Sequence, residues 1–102
     1  MSTELISHPL LATALELHPQ VALRPEPFGA LAYHYGNRRL VFLKHPDMVA
    51  GANSLAGHAT FAEALQACGI DPQRWPSFVT AFASLQESHV VRERAVHEES
   101  PE

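Results

Sequence analysis

A close series of breaks between Pro19 and Asp47 constrains this chain more than any other feature. The breaks are Pro19, Pro25-Glu26-Pro27-Phe28-Gly29, Tyr35-Gly36-Asn37 and His45-Pro46-Asp47. Proline brings no N–H to a ladder, and glycine and asparagine suit turns. The pieces between the breaks are strand-length. Gln20-Val21-Ala22-Leu23-Arg24 alternates, with Val21 and Leu23 to one side. Ala30-Leu31-Ala32-Tyr33-His34 is a second run, and Arg38-Arg39-Leu40-Val41-Phe42-Leu43-Lys44 sets four apolar residues between cations. Gly36-Asn37 suits a primed two-residue turn, so the second and third runs are expected to form a hairpin. Short connections make an antiparallel meander the simplest topology.

Helical patterns flank these strands. Leu10, Leu11, Ala14 and Leu15 predict a short helix over about Pro9 to Leu17. Met48, Val49, Ala52 and Leu55 predict a helix over Pro46 to Ala56, with Gly57 at its end. Gly51 inside it costs about 1 kcal/mol. Thr60-Phe61-Ala62-Glu63 reads as a capping box, followed by a face of Phe61, Leu65 and Cys68 and a stop at Gly69. Asp71-Pro72 opens the most amphipathic segment, with a stripe of Trp75, Phe78, Val79, Phe82 and Leu85. His89 to Arg92 reads as a short extension. The expected fold is α+β: a short helix, a three-stranded antiparallel sheet, then three helices, in a winged-helix-like arrangement. The expected domain spans 9–92, between a flexible N-terminus (1–8) and an acidic disordered tail (93–102).

Size and charge narrow the function. The 102 residues suit one domain, and 46% hydrophobic content supplies a core. A net charge of −4 argues against nucleic acid, which needs a basic patch. No apolar run approaches the ~20 residues that span a bilayer, and no secretory signal is visible. The lone Cys68 excludes an internal disulfide and suits the reducing cytoplasm; it reads as a small core residue. The seven histidines, His8, His18, His34, His45, His58, His89 and His97, lack metal-ligand spacing and read as surface or capping groups. Ser77, Ser84 and Ser88 have no nucleophile-elbow context, and Glu98-Glu99 beside His97 lies in the tail. No catalytic, metal or cofactor site is expected.

Two surfaces stand out. Four consecutive apolar residues exceed what a one-faced strand buries. The Trp75 to Leu85 stripe likewise exceeds what a short helix needs for docking. Together they suggest a groove in which an extended peptide adds a strand and drops side chains onto the helix. A DNA-binding regulator is opposed by the acidic balance, because the third helix offers only Arg74. A self-associating domain, pairing two edges in a homodimer, fits the same sticky strand.

The run His18-Pro19-Gln20-Val21-Ala22-Leu23-Arg24-Pro25-Glu26-Pro27-Phe28-Gly29-Ala30 and its continuation to Leu40 resemble the mycofactocin biosynthesis chaperones. These are a branch of the PqqD-like precursor-peptide recognition elements. The resemblance covers about residues 9 to 91. It implies a winged-helix-like, non-catalytic peptide chaperone. The implied ligand is the leader of the ribosomally made mycofactocin precursor peptide, added as a further strand beside the third strand and packed on the third helix. The implied enzyme partner is a radical SAM maturase that modifies the Val-Tyr end and itself carries the iron–sulfur clusters. On this chain the resemblance places backbone pairing on Leu40, Val41, Phe42 and Leu43. It places pockets on a subset of Trp75, Phe78, Val79, Phe82 and Leu85, and acid-facing cations at Arg38, Arg39 and Lys44.

Overall fold

The computed structural model describes residues 8–94. The expected flexible N-terminus (but for His8) and the tail from Ala95 onward lie outside them. Five strands run as β1 (Leu15–Leu17), β2 (Val21–Glu26), β3 (Gly29–His34), β4 (Leu40–Leu43) and β5 (Val91–Glu93). Three helices, α1 (Pro46–Ser54), α2 (Phe61–Ala67) and α3 (Trp75–Glu87), lie between β4 and β5. The α+β order of a three-stranded antiparallel sheet followed by three helices is therefore present, as in a PqqD-like fold.

Three expectations need correction. The helix over Pro9 to Leu17 is only a single 3-10 turn, Pro9–Ala12. The chain then straightens, and Leu15–Leu17 pairs with Val91–Glu93, the segment read as a helical extension. The fold thus has a second, two-stranded sheet made from the two ends of the described chain. The expected turn at Pro25 to Gly29 is shorter, since β2 runs through Pro25 to Glu26. The register explains why this is allowed. Tyr35 N–H donates to the Gln20 carbonyl at 2.8 Å, and Ala22 faces Tyr33 while Arg24 faces Leu31. Hydrogen-bonded pairs alternate with non-bonded ones, so Pro25 opposite Ala30 falls at a non-bonded pair on an edge strand.

The third correction concerns the β3–β4 connection. It is not a two-residue primed turn at Gly36-Asn37. Four residues intervene up to Arg38, and Arg38 itself takes the left-handed conformation, φ 64°. Its N–H donates to the His34 carbonyl at 2.7 Å. The His34 Nδ1 accepts from the Gly36 and Asn37 N–H groups, and Asn37 Oδ1 accepts from Arg39 N–H. A side chain therefore builds this turn. The same device recurs where His precedes Pro. Nδ1 of His8, His18 and His45 each accepts the backbone N–H two residues on, at 3.0 Å. The histidines cap, as an Asp or Asn would.

The helices end by named devices. Gly69 (φ 75°) closes α2, with Ile70 N–H donating to Leu65 O. His89 (φ 65°) closes α3 in the same way, with Val90 N–H donating to Leu85 O at 2.8 Å. The capping box at α2 forms on one side: Thr60 Oγ1 accepts Glu63 N–H, while Glu63 reaches Ala59 N–H. Asp71 Oδ1 accepts Gln73 N–H and starts a 3-10 turn that leads into α3. The core is packed around Phe61 and Phe82, whose ring centroids lie 4.7 Å apart, with Leu15, Leu43, Leu55, Leu65, Val90 and Val91 fully buried beside them. Arg94 ties the last strand down: its N–H donates to Ala14 O and its guanidinium to Leu55 O and His58 O.

Candidate functional site

β4 is an edge. The sheet order is β2-β3-β4, with nothing among the described residues paired beyond β4. Its register settles which of its groups are free. His34 N–H donates to Arg39 O, and the ladder continues with Ala32 opposite Val41 and Ala30 opposite Leu43. By the alternation of antiparallel pairs, Val41 and Leu43 turn their amide groups to β3, and Leu40 and Phe42 turn theirs outward. Of the four residues expected to pair, Leu40 and Phe42 are thus the ones whose amide groups face the open side of β4. An edge with two outward residues offers two N–H donors and two carbonyl acceptors.

Side-chain parity is settled too. Leu43 is buried and Val41 half-buried on the helix side, whereas Leu40 and Phe42 are exposed on the opposite face. The apolar run is long because its two parities have different surroundings. Arg38 and Arg39 stand in the connection before β4, not in the strand. Lys44 follows β4 and lines a shallow depression with Phe28 and Phe42. Among the described residues, none of these three cations has a carboxylate within ion-pair distance.

The helix side holds an open groove of about 250 Å³. It begins just past the end of β4 and is lined by His45, which caps α1, and Met48 of α1, by Arg74 from the 3-10 turn before α3, and by Ser77, Phe78 and Ala81 of α3. Arg74 is held at one wall. Its guanidinium meets Asp47 Oδ2 at 2.9 Å and lies 5.3 Å from the Phe78 ring centroid. The stripe that sequence periodicity singles out divides here. Trp75, Phe78, Val79, Phe82 and Leu85 are all buried, and only Phe78 lines the groove. Trp75 is fixed by its indole N–H, which donates to Ile70 O at 3.0 Å. Met48, Ser77, Ala81 and His45 were not anticipated. Ser77 and Ala81 lie next to the stripe at i, i+4 spacing, which is the signal that could have found them.

Polar chemistry in the site is sparse. Among the described residues no cluster of His, Cys, Asp and Glu is placed to hold a metal ion, and no helix is long and apolar enough to cross a membrane. What the arrangement offers is shape: a free strand edge, cations before it, and an apolar groove at its end.

Comparison with known proteins bears on this arrangement. Residues 14–92 match the model of the Peptide chaperone MftB family. The chain is 45% identical over 75 residues to a protein named Peptide chaperone MftB from Mycobacterium ulcerans (strain Agy99), covering 74% of this chain and 69% of that one. It is also 45% identical over 75 residues to one of the same name from Mycolicibacterium smegmatis (strain ATCC 700084 / mc(2)155), covering 74% of each. A third, from Mycobacterium tuberculosis (strain ATCC 25618 / H37Rv), is 41% identical over 75 residues. No solved structure is a significant match.

Proposed function

The chain belongs to the peptide chaperone MftB family, and on that premise we propose that it binds the leader of the mycofactocin precursor peptide by strand addition to β4 and presents it to a radical SAM maturase. The observation that carries this reading is the edge of β4, unpaired among the described residues and ending at the His45–Ala81 groove. An added strand would bond the amides of Leu40 and Phe42. Its residue opposite Val41 would point to the helix side, and further along the strand apolar anchors would enter the groove beside Phe78 and Met48. Arg38 and Arg39 would meet acidic leader residues. The role is binding and positioning, with no bond made or broken by this chain.

Magnitudes support it. Four edge hydrogen bonds at a net ~1 kcal/mol each contribute about 4 kcal/mol. Two or three buried anchors add ~1.5–3 kcal/mol each. Association costs at least ~4 kcal/mol, so the favourable end lies near micromolar affinity, roughly −8 kcal/mol. Backbone pairing tolerates most sequences, so the anchors set specificity.

The test is a titration of isotope-labelled protein with the leader peptide, followed by amide shifts. Leu40 and Phe42 should move first and furthest. Saturable binding with no change from Arg39 to Lys44 would overturn the site.

A further inference from the structure

The exposed large apolar side chains among the described residues are Phe28, Tyr35, Leu40 and Phe42, at 41%, 61%, 59% and 58% exposure. All of them lie in or at the ends of the three-stranded sheet, and the register gathers them with further side chains on the face that points away from the helices. One rung across the sheet is Arg24, Leu31 and Phe42, and the next is Ala22, Tyr33 and Leu40. Leu31–Phe42 and Tyr33–Leu40 are non-hydrogen-bonded pairs, in which side chains stand closest. Phe28 meets Phe42 edge to face at 5.7 Å, and Tyr33 meets Tyr35 at 4.8 Å. The patch is thus a continuous aromatic and aliphatic surface. Contiguous exposed apolar surface of this kind marks an interaction site.

The occupant can be narrowed by shape and charge. An added leader strand lies beside β4 in the plane of the sheet and leaves this face open. The patch crosses all three strands, a width of about 10 Å, which fits a folded surface better than one extended chain. A second copy of this chain fits poorly. In a two-fold dimer the same patch must complement itself. This face carries two cations, Lys44 and Arg24, and its carboxylate, Glu26, is already paired with Arg24 at 3.2 Å. Among the described residues, the same face of a second copy therefore brings Lys44 no free carboxylate.

We propose that the outer face of the β2-β3-β4 sheet, centred on Phe28, Leu31, Tyr33 and Phe42 with Lys44 at its rim, is the surface that docks the maturase, through an apolar patch carrying a carboxylate opposite Lys44. This rests on the reading of the chain as a chaperone that hands its peptide to an enzyme. It separates the two partners in space: peptide along the edge and on the helix side, enzyme on the opposite face. Both could then be held at once.

The experiment measures the affinity of the purified maturase for the full-length chain, without and with leader, for wild type, Phe28→Asp and Lys44→Glu. Leader affinity is measured separately on the same proteins. Both variants change exposed side chains, and their unfolding midpoints serve as the folding control. The proposal expects at least a tenfold loss of leader-free maturase affinity for each variant and, for Phe28→Asp, leader affinity within twofold of wild type. Unchanged maturase affinity in both variants overturns it. A parallel loss of leader affinity in Phe28→Asp also overturns it, because the face would then belong to the peptide site. So does a wild-type dimer in sedimentation that the variants dissociate without losing maturase affinity. Failure of wild type to bind leader would sink the peptide reading alone, since the leader-free arm still reports whether this face meets the enzyme.

Discussion

The rings of His18 and His34 lie 4.4 Å apart, centroid to centroid, at the seam between the two sheets. His34 is buried, its Nδ1 is occupied by two backbone donors, and its Nε2 has no partner within the described protein. His89 stands 6.5 Å from it on the third side. Burial holds the His18 imidazole below its ordinary value, and His34, Arg92 and His89 lower it further, against a smaller opposite pull from Glu16. Folded His18 therefore takes up a proton less readily than the unfolded chain does. Its stabilising contribution is full above about pH 6.5 and is lost as pH falls below that. The urea midpoint should drop between about pH 7.5 and about pH 5.5. His18→Asn keeps an acceptor for Gln20 N–H and should flatten that dependence.

Gly29 opens β3 at φ 148°, and a Cβ there would run into the Leu43 carbonyl oxygen. Gly29→Ala should destabilise the domain by about 2 kcal/mol or more, because the clash is with backbone that cannot rotate away. Thermal unfolding should show a midpoint lowered by roughly 10 °C in a chain of this size.

Phe42→Pro removes an N–H that faces the proposed peptide and leaves the ladder to β3 intact. Leader affinity should fall at least about tenfold, the equivalent of one lost bond or more. Arg92→Ala, which breaks an exposed ion pair with Glu16 on the other sheet, should leave it unchanged. Calorimetric titration of both variants checks the contrast.

Ser77→Trp should fill the groove between α1 and α3. Ser77 is exposed at the groove wall, so the indole can occupy that space without entering the core. Leader binding should weaken by about tenfold or more as an anchor is excluded, with the thermal midpoint held within a few degrees.

Arg94→Ala deletes the donors to Leu55 O and His58 O. Charged hydrogen bonds of this kind make a cost of about 2 kcal/mol the expectation, read as a lowered urea midpoint at unchanged slope.

The parts visible in the sequence are those set by local chemistry. Pro and Gly breaks fix the meander, Thr60 and Asp71 start their helices, and Gly69 ends one. What stayed hidden is tertiary. β1 and β5 are three residues each and find one another across most of the chain, so neither carries enough period to read. Leu15-Glu16-Leu17 does alternate, but Leu10, Leu11 and Ala14 before it make a helical stripe that masks the change. The stop at His89 lacks the glycine signal that marks Gly69, although both take the same left-handed φ. Within the site, the edge was legible as an apolar run, but its inner and outer parity depended on register. The α3 stripe marked the core more than the groove, because maximal periodicity selects the most buried face.

The pairing of Leu15 with Glu93 also sets an order of events during synthesis. The backbone of β1 finds its partner only when the last strand arrives. Until β5 has left the ribosome, β1 waits with its edge unpaired, while the three-stranded sheet and the helices can already assemble from shorter-range contacts. The nascent chain thus acquires the open edge of β4 before β1 and β5 are joined, and β1 is the stretch that most needs shielding in that interval.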